Sequence, residues 1–146
     1  MNVTIKQIDE TKNEQVIIEC VKVTPQIKDI ENYVLNSDMT LSGILNERTY
    51  KLNISEIFYF EAIDEKVFAY TLKDVYEIKL RLYEAEQKYR DNYFIRCSKS
   101  FLINVMKIES ISPALNGRFT AHMKNGENII ISRQYVKELK DALLGA

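Results

Sequence analysis

The stretch ISEIFYFEAIDEKVFAYTLKDVYEIKL, residues 54–80, decides the fold class. It is dense in Ile, Phe, Tyr and Val, residues that suit a pleated, half-buried surface. Ile57, Tyr59 and Glu61 alternate with Phe58, Phe60 and Ala62, the period-two pattern of a strand. The run breaks at Ile63-Asp64-Glu65-Lys66, resumes as VFAYT, breaks again at Leu72-Lys73-Asp74 and ends in VYEIK. Strands this close connect as antiparallel hairpins, because a parallel crossover needs about a dozen residues or more.

Downstream the period changes. RLYEAEQKY, 81–89, has helical spacing at Leu82, Ala85, Glu86 and Tyr89 and is built of good helix formers. Beyond it, VMKIESIS, RFTAHMK and NIIIS are strand candidates separated by Asn116-Gly117 and Asn125-Gly126. Asn-Gly between β-rich runs is a strong hairpin signal. Ser132 then reads as the N-cap of a closing helix with Val136, Leu139 and Leu143 as its apolar stripe.

Upstream, LSGILNERTYKLN holds two strand-like pieces around Asn46-Glu47-Arg48. VTIKQI and VIIECVKV, 3–8 and 16–23, read as strands. Thr24 and Pro25 open a helix with Ile27, Ile30, Val34 and Leu35 on one face, and Asn36, Ser37 and Asp38 close it. The chain thus divides into a β–α segment, 1–41, too small to fold alone, and a mainly antiparallel β domain with short helices, 42–146. The class is mainly β, of the α+β kind.

At 146 residues and 46% apolar content the chain is one domain long, with enough for a real core. No apolar run approaches the roughly 18 residues of a membrane span, and the N-terminus has no basic start followed by an apolar stretch. Cys20 and Cys97 have no partner motif, so a reduced, cytoplasmic compartment is expected. The catalytic signals are weak. His122 is the only histidine, and Gly43, Gly117, Gly126 and Gly145 are isolated, which leaves no phosphate-cradling loop. The carboxylate pairs Asp64/Glu65 and Glu84/Glu86 read as solvated charge. A binding protein is expected rather than an enzyme, with no metal, cofactor or small-molecule substrate.

The net charge of −1 excludes nothing, but its distribution is uneven. Residues 88–107 hold Lys88, Arg90, Arg96, Lys99 and Lys107 against Asp91 alone. At the centre lies FIRCSKSFLIN, 94–104, with no acid at all. A basic island in an acidic chain is a candidate anion footprint. Lys99 is long enough to reach a phosphate or the O6/N7 edge of guanine, and Ser98 and Ser100 can donate to phosphate oxygens. Ser132, Arg133 and Gln134 sit at a helix start, where free N–H groups face an anion. Arg96 alternates with Phe94, so it either meets an anion or pairs with a core-edge carboxylate such as Glu61. Asn104 reads as a turn holder or a base reader. Cys97 is either buried and inert or a thiol made acidic by its cationic neighbours.

The order of these pieces resembles the LytTR family of bacterial DNA-binding domains over residues 42–146. The matching motifs are Ile57 to Glu61, Leu82 to Glu86, Phe94 to Asn104 and Ser132 to Tyr135. The resemblance implies an all-β domain that reads the major groove with loops, as two copies on direct repeats in double-stranded DNA. It places contacts at Asp64, Glu65 and Lys66, at Ser98 and Lys99, and at Arg133 and Gln134. Ser98 stands where the family most often has His. With Arg96, Ser100, Asn104, Ser132 and Lys137 added, the candidate DNA-binding set is complete. The resemblance extends to small stand-alone regulators restrained by a membrane protein encoded nearby. Residues 1–41 are too short for a phosphorylatable receiver, so control by the chain's own phosphorylation is not expected.

Overall fold

The computed structural model describes residues 1–36 and 39–144. After an extended N-terminal segment come α1 (Pro25–Asn36), β1 (Thr40–Leu45), β2 (Arg48–Asn53), β3 (Tyr59–Ile63), β4 (Lys66–Tyr70) and β5 (Val75–Ile78). Then follow α2 (Leu82–Lys88), β6 (Phe94–Arg96), β7 (Phe101–Asn104), β8 (Ile108–Pro113), β9 (Phe119–Met123), β10 (Asn128–Ile131) and α3 (Arg133–Leu144). Seven strands form one sheet in the order β2-β1-β5-β4-β3-β7-β6, and β10-β9-β8 form a second. Every pairing is antiparallel.

The sequence locates most of these elements. The hairpin of β3 and β4 pairs Tyr59 with Tyr70 and Ile63 with Lys66, closing on Asp64-Glu65. Asp64 carries a φ of 56°, which a short polar side chain tolerates at a tight turn. Both Asn-Gly signals fall between paired strands, with Asn116, Gly117 and Gly126 at positive φ. The α2 helix covers 82–88, with Glu84 accepting from the Arg81 N–H at 3.0 Å. Thr24 caps α1, its Oγ1 accepting from the Ile27 N–H at 3.4 Å. The stop signal at Ser37 and Asp38 lies outside the described residues.

Two expectations are corrected. Residues 3–8 and 16–23 form no strand here: 1–24 belong to no ladder. A strand needs a partner edge, and β-propensity alone supplies none. The alternation in 57–62 also slips in phase. A 3-10 turn at Ile54–Glu56 precedes β3, so Ile57 and Phe60 share one core while Phe58 and Tyr59 enter the other.

Two cores lie on opposite faces of the large sheet. On one face Phe60, Ala69, Phe94 and Leu102 pack with Leu82, Ala85 and Tyr89. On the other, Tyr59, Ile95 and Ile103 meet Ala121, Met123, Ile129, Ile131 and Leu139 from the small sheet and α3. Strands β3, β6 and β7 are therefore buried on both faces, and their near-continuous apolar runs follow from that. Tyr59 and Tyr70 stack at 4.3 Å between centroids. Their hydroxyls donate to Glu127 at 2.6 Å and to Glu61 at 2.7 Å, fastening the turn between β9 and β10 to the large sheet.

Two connections repeat one device. Asn53 and Asn104 each end a strand and cap a 3-10 turn, accepting from the Ser55 and Met106 N–H groups at 3.0 Å. A buried Ile54 or Val105 follows, then Ile57 or Ile108 with nearly the same extended backbone. The motif Asn-β-branched-x-x-Ile thus turns the chain out of β2 and β7 in the same way.

Candidate nucleic-acid interface

Three segments far apart in sequence are joined at one end of the large sheet: the β3–β4 turn, the loop 97–100 between β6 and β7, and the start of α3. Main-chain hydrogen bonds make the joints. The Ala62 N–H donates to the Ser100 carbonyl at 2.8 Å, and the Ser132 N–H donates to the Cys97 carbonyl at 2.8 Å. These are the three segments the sequence singled out.

The loop 97–100 is built from within. The Ser98 hydroxyl accepts from the N–H groups of Ser100 and Phe101 at 3.3 and 3.1 Å, closing a local turn. Arg96 spans the loop's base. Its Nη1 donates to the Lys99 carbonyl at 2.6 Å and its Nε to Glu86 at 3.1 Å. The carboxylate is supplied by α2, not by Glu61, which accepts from Tyr70 instead. Arg96 is thus largely buried and committed to shaping the loop, while the Lys99 side chain is left exposed. Beneath, the Cys97 thiol is fully buried and its pKa is pushed up to about 12. Burial drives that rise and the Arg96 charge only partly opposes it. The neutral thiol is the resting form, so Cys97 is a packing residue.

Asn104 does not reach the surface. It is 2% exposed, its Nδ2 donates to the Ile57 carbonyl at 2.9 Å and its Oδ1 caps the 3-10 turn. Of the two roles read for it in the sequence, these bonds are those of a turn holder. Lys66 is exposed and pairs with Glu77 at 3.4 Å. Arg133, Gln134 and Lys137 are exposed on α3. With Gly117, Val136, Lys140 and Asp141, Arg133 and Lys137 line an open groove of about 520 Å³. Gly117 permits it: with φ +76°, a Cβ there would stand 2.8 Å from Cδ of Arg133. Gly117 and Lys140, which line this groove beside Arg133 and Lys137, were not singled out in the sequence. The Asn-Gly pair was legible as a turn, but not which side chain lies against it.

The exposed residues across these segments are Asp64, Glu65, Lys66, Lys99, Arg133, Gln134 and Lys137. Cations for phosphate and amide or carboxylate groups for base edges are both present. Among the described residues no group of three or more His, Cys, Asp or Glu gathers to hold a metal ion. His122 links strands instead, with Nε2 2.7 Å from the Ser112 hydroxyl and Nδ1 2.9 Å from Oδ1 of Asn128. No helix among the described residues is long and apolar enough to cross a membrane.

The site thus joins exposed cations and an amide on clustered loops of a mainly antiparallel β domain. The model of the LytTr DNA-binding domain matches residues 47–144, and the chain belongs to that family. Two HTH-type transcriptional regulators of Staphylococcus aureus are 33% and 32% identical over 128 residues, 86% of this chain and 86% of theirs. A LytTr DNA-binding domain from a Bacillus cereus protein superposes with a TM-score of 0.67 at 29% identity, covering 73% of this chain and 97% of that one. In this chain α1, α2 and α3 are each separated by strands, so the described residues hold no helix–turn–helix unit.

The buried acids carry a pH dependence. Tyr70 is held at about 12 by burial and by its bond to Glu61, and Cys97 by burial. Both pKa values are raised above their ordinary values of 10.0 and 9.0. Their contribution is therefore complete below the unfolded pKa and lost as pH rises toward the folded one. Stability should be level to about pH 9 and fall steadily toward about pH 12. Denaturant titrations across that range check it, and Cys97→Ala should remove the earliest part of the fall. An unchanged onset in that variant would exclude the thiol.

Proposed function

We propose that this protein is a sequence-specific, double-stranded-DNA-binding transcriptional regulator, not an enzyme, that reads the major groove with loops. Family membership establishes the DNA-binding domain. The observation that carries the loop reading is the main-chain coupling of 97–100 to the β3–β4 turn and to α3, which presents Lys99, Arg133 and Gln134 together. Lys99 and Arg133 contact guanine or phosphate, and Gln134 contacts adenine. Ser98, Ser100 and Ser132 hold the backbone positions, with hydroxyls available to phosphate. Lys66 and Lys137 flank as phosphate contacts. Asp64 and Glu65 are the acids of the β3–β4 turn, a choice that suits cytosine amino groups and repels backbone. Two copies bind direct repeats in a cytoplasmic setting. Control by a bound partner, such as a small membrane protein, rather than by the chain's own phosphorylation completes the reading.

Lys99→Ala and Arg133→Ala should each weaken binding to the protein's own promoter region by roughly 1–3 kcal/mol. Mobility shifts with folded protein at low salt measure this. No shift with the unaltered chain would sink the function, and full affinity in both variants would sink the site.

A further inference from the structure

Lys28, Lys66 and Arg96 each meet a carboxylate, on Glu31, Glu77 and Glu86. Arg133, Lys137 and Lys140 of α3 are different. Among the described residues none of them is in an ion pair, although Glu138 and Asp141 share their helix. The three lie at i, i+4 and i+7, which is one face of a helix. A neighbouring face sends Tyr135, Val136, Leu139 and Leu143 against the core. All three cations line the open groove along α3, where Gly117 of the β8–β9 connection forms the facing wall. Asp141 is the acid of that lining, so three positive charges meet one negative there.

Lys140 is placed more firmly than its neighbours. It is half-buried, and its Nζ stands 4.2 Å from the centre of the Phe119 ring. Phe119 is itself packed against the core shared by the small sheet and α3. A carboxylate fixes a lysine by cancelling its charge. A ring fixes it through its quadrupole and leaves the charge in place. The ammonium is thus held at the groove with its attraction for an anion intact.

The groove is continuous with the reading loops. Ser132, next to Arg133, donates its N–H to the carbonyl of Cys97, in the loop that carries Lys99. From Arg133 to Lys140 the helix rises about 10 Å, roughly three nucleotide steps of one DNA strand. A row of unneutralised cations at that spacing suits a repeating anion. We propose that the groove holds the phosphate backbone of the duplex that the loops read, with Lys140 as its far contact and Phe119 as the residue that positions it. The inference rests on the DNA reading and adds to it a grip that is independent of sequence. Lys137 and Lys140 hold phosphate, and Gln134 is left to the bases.

The test measures binding of the full chain, across a range of salt concentrations, to its own promoter region and to a duplex of unrelated sequence. Lys140→Gln should weaken both complexes roughly tenfold and reduce the slope of log affinity against log salt by about one. Gln134→Ala should weaken the promoter complex alone. Phe119→Leu keeps the apolar packing and loses the ring's pull on the ammonium. It should weaken both complexes roughly threefold with the salt slope kept. Asp141→Asn removes the acid of the groove and should strengthen both. Urea titration checks that each variant is folded. Lys140→Gln with the affinity and salt slope of the unaltered chain would overturn the inference and leave the loop reading standing. So would a loss confined to the promoter duplex, which marks a base contact. An unaltered chain that binds neither duplex would overturn both readings together.

Discussion

Replacing Asn104 with alanine is expected to lower the unfolding free energy by about 3 kcal/mol. The side chain satisfies the Ile57 carbonyl and the Met106 N–H, while the main-chain N–H of Asn104 donates to the Phe58 carbonyl at 2.9 Å. Truncation leaves two main-chain groups without partners beside a nearly closed core, at about 1–3 kcal/mol each. Asn104→Asp should be at least as damaging, because it loses the donor to Ile57 and buries a charge. Urea titrations should show a lower midpoint with an unchanged slope. The folded fraction should keep its DNA affinity. A stable Asn104→Ala protein with weakened DNA binding would instead return Asn104 to the set of base readers.

Arg96→Ala should weaken DNA binding by about 3 kcal/mol, roughly a hundredfold, although Arg96 is expected to touch no DNA. Two charge-assisted hydrogen bonds disappear, and with them the brace between α2 and the loop that carries Lys99. The salt dependence separates this from a phosphate contact. Removing a cation that neutralises phosphate reduces the slope of log affinity against log salt by about one. Arg96→Ala should leave that slope unchanged, whereas Lys99→Ala should reduce it. Glu86→Ala added to Arg96→Ala should cost little more, since both break one brace. A slope reduced by one in Arg96→Ala would make Arg96 a direct contact.

Much of the fold was legible because its signals are local. Asn125-Gly126 demands a turn whatever surrounds it, and the alternation of VFAYT reports a strand whose neighbours are close in sequence. The three candidate segments were also legible, since a polar turn, an acid-free loop and a helix start are local features. What failed was non-local. The partner of Arg96 sits on a helix ten residues earlier, and no period reveals which carboxylate a folded helix presents. Asn104 was readable as a turn holder or a base reader, and only its burial in β7 favours the first. VTIKQI and VIIECVKV have the residues of strands, but strandness belongs to a pair, and the sequence of one strand does not disclose whose edge it joins.

The joints among the reading segments run between main-chain atoms: Ala62 to Ser100, Ser132 to Cys97. Every amino acid except proline brings the same donor, and every one brings the same acceptor. The side chains at 64, 65, 99, 133 and 134 are therefore relieved of holding the loops in place. On the proposed reading, substitutions at 65, 99 and 134 re-address the protein to a different operator at little stability cost, while Asp64 stays tied to the positive φ of its turn.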